Sequence, residues 1–127
     1  MRELKTMFKR VVSDGSLIKK VETEQIDDDQ IFVLESITGG FNAQAVTEVS
    51  QFYFSNGGNP YYFDSKLPLA TGVNPSSRER ITIPAGFSFG VYCPDVANNE
   101  ILTLYVHGYK IPLCDYRNYY MLQADKK

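Results

Sequence analysis

The chain has 127 residues, 43% of them hydrophobic and 22% charged, with a net charge of −2, a balance that fits one globular domain with its own core. No window approaches the roughly 18 consecutive apolar residues of a membrane-spanning helix. The N-terminal MRELKTMFKRVV lacks both the apolar stretch and the small-residue cleavage site of a secretory leader, which predicts assembly in a cytoplasm.

The charge is unevenly placed. Residues 1–20 carry six cations against two acids, whereas residues 21–64 carry eight acids and no Lys or Arg. This asymmetry leaves three readings of the basic N-terminal segment, residues 1–25: a solvated strand face, docking through Lys9, Arg10, Lys19 and Lys20 on a neighbouring copy's acidic surface, or nucleic-acid contact. The sequence pI near 5.3 argues against nucleic acid as the partner.

From the N-terminus onward, short runs rich in β-branched and aromatic residues alternate with turn signals. MFKRVV and SLIKKVETEQI flank Asp14-Gly15, a dipeptide suited to a tight hairpin turn, so residues 1–25 read as a hairpin or arm. The acidic triplet Asp27–Asp29 interrupts the pattern and reads as a solvated loop rather than a calcium loop, because it lacks ligand spacing. QIFVLESITGG follows as a strand whose contiguous apolar residues suit cover on both faces. TEVSQFYF and PYYF, joined by SNGGN, predict a hairpin. LPLATGVNPSSRE is the long irregular connection.

RITI runs into the Pro84-Ala85-Gly86 turn and then FSFGVYC, where Phe87, Phe89, Val91 and Cys93 share one face. EILTLYVHGYKIPL closes the set. The fold predicted is all-β: an antiparallel sandwich of about eight strands, jelly-roll-like, with extended terminal segments. It forms a single domain over 1–127, with the sandwich core at 26–113 and a polar-aromatic tail at 114–127.

Alternation in the last run puts Leu102, Leu104, Val106 and Gly108 on the core face, and Thr103, Tyr105, His107 and Tyr109 on the other. The only histidine is thereby aligned with tyrosines on an outer surface. A single imidazole falls short of a metal-dependent barrel site, and neither Cys93 nor Cys114 is placed beside it for nucleophilic work. Motifs of the GxSxG, HExxH and phosphate-loop kinds are missing from the sequence, so no enzyme, metal or cofactor is expected. The two cysteines are expected as free thiols.

Two surfaces attract attention instead. Tyr116, Arg117, Tyr119 and Tyr120 in the tail, with Tyr105, His107 and Tyr109, have the Tyr/Arg composition of protein interfaces. Tyr53, Tyr61 and Tyr62, beside Asn56 and Asn59, suit stacking on sugar rings, although aromatic cross-strand pairs are also ordinary in sheets.

At ITIPAGFSFGVYCPD and LTLYVHGYKIP the chain resembles small phage and prophage β-sandwich proteins, and QIFVLESITGGF looks like an earlier strand of such a domain. The likeness spans about residues 26–113 and consists of turn-and-strand grammar. It implies a non-catalytic virion component: a head-decoration, minor capsid, tail or fibre-associated protein. Its partners would be copies of itself or other virion proteins. A carbohydrate- or receptor-binding module is the alternative.

Overall fold

The computed structural model describes residues 3–14 and 18–114. They form nine strands: β1 (Glu3–Asp14), β2 (Lys20–Glu22), β3 (Gln30–Phe41), β4 (Ser50–Ser55), β5 (Tyr61–Lys66), β6 (Ser76–Ser77), β7 (Thr82–Pro84), β8 (Ser88–Tyr92) and β9 (Asn98–Pro112). Every pairing is antiparallel. β1 pairs with β9, β2 with β8, β3 with both β6 and β7, and β4 with β5. That nesting is one long hairpin. Rolling it up adds β9 to β3 and β8 to β4, giving sheets ordered β1-β9-β3-β6, with β7 also on β3, and β2-β8-β4-β5. The interleaved order is that of a jelly roll, two Greek keys in two packed sheets.

The core lies between the sheets and follows strand alternation. Leu102, Leu104 and Val106 of β9 and Leu34 and Ile37 of β3 meet Phe52 of β4 and Phe89 and Val91 of β8, all fully buried. Phe32 and Phe89 cross the interface edge-to-face with ring centroids 5.7 Å apart, a geometry aromatic quadrupoles favour. The Pro84-Ala85-Gly86 turn forms as expected, with Gly86 at φ 86° and Phe87 N–H donating to Pro84 C=O at 3.4 Å.

The N-terminal segment differs from the expectation. It is neither a hairpin nor an arm. β1 and β2 belong to different sheets, and each is an edge strand there. The chain therefore changes sheet from β1 to β2 instead of pairing the two strands.

The loop after β3 is fastened by a buried side chain. Gln44 accepts from Phe41 N–H at 3.2 Å and donates to Glu48 C=O at 2.7 Å and to Ser50 Oγ at 3.0 Å. Ser50 in turn donates to Gly39 C=O at 2.8 Å. Replacing Gln44 with Leu keeps the volume but leaves these buried groups unpaired, so Gln44→Leu is expected to lower unfolding free energy by about 2 kcal/mol. The midpoint of urea unfolding measures it.

The sandwich has two open sides. On the β5–β6 side, Ser77 Oγ donates to the Asp64 carboxylate and joins the two sheets. On the β1–β2 side, a cleft of about 310 Å³ separates β1 from residues 23–27, which run on along β8 through Thr23 N–H and Ile26 N–H.

Candidate interaction surface

β1 is twelve residues long and apolar on both faces. Met7 and Val11 turn inward against the core. Leu4, Phe8 and Val12 turn outward and are 73%, 51% and 56% exposed. In register, Leu4 stands opposite Tyr109, Thr6 opposite His107, Phe8 opposite Tyr105, Arg10 opposite Thr103 and Val12 opposite Ile101. Tyr105 is itself 51% exposed, and its ring lies 4.6 Å from that of Phe8. The outer face of β1 and β9 therefore presents Leu4, Phe8, Val12 and Tyr105 as exposed apolar and aromatic side chains, interspersed with Thr6, Arg10 and His107. Farther across that sheet face, the Thr38 and Ser76 hydroxyls hydrogen-bond at 2.5 Å.

His107 sits where alternation places it. It is exposed, and its Nδ1 shares a 3.0 Å hydrogen bond with the Thr6 hydroxyl. The interface set thus gathers Tyr105, His107, Tyr109 and Arg10 on one face. It also gains Leu4, Phe8 and Val12, which sequence reasoning missed because β1 had been assigned to a separate hairpin. The available signal was apolar residues on both parities of β1.

The other predicted cations do not join them. Lys9 points inward and lines the cleft with Lys5 and Lys110, facing Glu24 and Asp27. Lys19 donates from Nζ to Pro94 C=O at 3.2 Å, and Lys20 Nζ lies 3.6 Å from Glu22. A basic docking strip made of Lys9, Arg10, Lys19 and Lys20 is therefore not formed. Strand parity and the change of sheet split it. Tyr116, Arg117, Tyr119 and Tyr120 lie outside the described residues.

The predicted sugar platform also needs correction. Tyr53 is fully buried, lying across Gly90, where an added Cβ would meet its ring and hydroxyl at 2.3–2.4 Å. Its hydroxyl donates to Glu22 Oε1 at 2.8 Å, and Tyr62 packs on it edge-on at 5.5 Å. Burial, then the Glu22 carboxylate, pushes the Tyr53 hydroxyl far above the usual phenol range. Tyr62 is raised too, by partial burial and then by Tyr92 beside it. Tyr61, stacked on Phe54 at 5.4 Å, and Tyr62 are half-exposed. Asn56 and Asn59 are exposed at the hairpin tip, where Asn56 Oδ1 accepts from Gly58 N–H at 3.4 Å. The set contains two usable rings, and its third member is a structural beam.

Cys93 is buried and Cys114 exposed, and no disulfide joins them. Among the described residues, no group of three or more His, Cys, Asp or Glu side chains is placed to hold a metal ion, and no helix is long and apolar enough to cross a membrane. Neither a protein-family model nor a curated protein matches the chain.

Proposed function

We propose that this chain is a non-catalytic structural protein of a virion, of the head-decoration, minor capsid, tail or fibre-associated kind, that works by assembling with copies of itself. The observation that carries the assembly reading is the outward band of Leu4, Phe8, Val12 and Tyr105. Contiguous exposed apolar residues, rimmed by polar ones, mark interaction sites in folded proteins. Arg10 and the tyrosines complete the composition usual at such contacts. The virion reading draws on the jelly-roll strand order, a fold used by capsid and lectin domains, together with the resemblance at residues 81–95 and 102–112. The glycan-binding alternative loses its central ring, because Tyr53 is buried.

Light scattering after size exclusion tests the assembly reading. The wild-type chain is expected to elute as an oligomer. Phe8→Ser is expected to weaken association by about tenfold with unchanged circular dichroism, since covering the exposed half of a Phe side chain is worth about 1.4 kcal/mol. A strictly monomeric wild type refutes the proposal. Mass spectrometry of purified particles checks the virion placement.

A further inference from the structure

We infer that two copies join edge to edge through β1, antiparallel about a two-fold axis at Phe8, fusing their β1-β9-β3 sheets into one. The inference rests on the assembly reading and names its geometry. β1 is the edge of its sheet and presents twelve residues, about 40 Å of strand. A long edge strand with exposed apolar side chains is a template for pairing.

The self-complementarity of β1 selects the register. A two-fold perpendicular to the sheet keeps outward residues outward, so residues of equal parity must stand opposite one another. Centring on Met7 sets Lys5 against the partner's Lys9. Centring on Lys9 or Arg10 sets that cation against itself. Centring on Thr6 avoids like charges but pairs only residues 3–9. Centring on Phe8 pairs Glu3 through Ser13 with no like charges opposed. Outward, Leu4 meets the partner's Val12, Thr6 meets the partner's Arg10, and the two Phe8 rings meet. With Phe8 already against Tyr105 at 4.6 Å, the row reads Tyr–Phe–Phe–Tyr across the axis.

Inward lysines usually protect an edge strand from pairing. Here Lys5 and Lys9 share the cleft with Glu24 and Asp27, which offset their charge within each copy. In the Phe8 register Lys5 and Lys9 stand opposite the partner's Val11 and Met7 instead of each other.

Paired cysteines test the register. In a Cys114→Ser background, the Leu4→Cys protein is mixed with the Val12→Cys protein under mild oxidation. A covalent dimer containing one of each is expected, with little cross-linking of either alone. Thr6→Cys mixed with Arg10→Cys is a second pair in the same register, and all four sites are exposed, so folding is spared. If the wild type is oligomeric but neither mixture cross-links, edge pairing is wrong while the assembly reading stands, as when outer faces stack. If the wild type is monomeric throughout a dilution series, both are wrong.

Discussion

Gly108→Ala is expected to destabilise the protein by about 3 kcal/mol, lowering the melting temperature by about 10 °C. Gly108 faces the core from β9, after Leu102, Leu104 and Val106 on the same side. A Cβ there would lie 2.1 Å from the Val33 carbonyl oxygen and 2.9 Å from the Phe32 ring. Neither neighbour yields cheaply. The carbonyl is main chain of β3, the strand that pairs with β9, and Phe32 is wedged against Phe89 in the centre of the sandwich. In an unstrained strand, exchanging Gly for Ala gains about 0.5–1 kcal/mol, so the sign of the effect separates clash from propensity. Gly58, exposed and with no atom nearer than 3.5 Å to an added Cβ, is the matched control. Thermal melts of both variants against wild type decide it, and a Gly108→Ala protein as stable as the wild type contradicts this packing.

The jelly roll was legible where its signals are local. Alternation in FSFGVYC and LTLYVHG assigned core and outer faces correctly down to His107, because period-two patterning depends only on neighbours along the strand. The SNGGN hairpin and the Pro-Ala-Gly turn were legible for the same reason. What escaped was pairing over distance. Asp14-Gly15 announces a reversal but is silent on whether the returning strand stays in the sheet. β1 finds its partner in β9, with Phe8 opposite Tyr105. Once β1 is paired there, parity sends Lys9 into the cleft and Arg10 outward, and a charge cluster in sequence becomes two environments in space. Tyr53 looked like an exposed loop aromatic because the glycine that makes room for it, Gly90, lies on another strand. An edge band such as Leu4, Phe8 and Val12 becomes visible only after the sheet order is known.

Alkaline solution is expected to unfold the protein through two groups that the fold holds neutral. Burial pushes the Cys93 thiol from 9.0 up to about 12, against a smaller lowering by the Ser50 hydroxyl 3.8 Å away. Burial and then Glu22 push the Tyr53 hydroxyl up as well, from an ordinary value of 10.0. Below pH 9 both states keep the thiol proton, so this stability is present in full. Above it the unfolded chain releases a proton that the folded chain retains. Stability then falls by about 1.4 kcal/mol per pH unit for that proton, until the folded thiol ionises near pH 12. Tyr53 adds a second proton of the same sign above pH 10. By about pH 11 the combined loss reaches about 4 kcal/mol, a large part of the stability of an ordinary domain. Urea unfolding across this range reads the slope directly. Cys93→Val, apolar and close in size, is expected to flatten the limb that begins at pH 9, and Tyr53→Phe the part that begins at pH 10. Both variants start from lower stability at neutral pH, since each removes a buried contact, so the slope and not the midpoint is the test. A Cys93→Val protein with the wild-type slope between pH 9 and 10 shows that the thiol is not the group resisting ionisation.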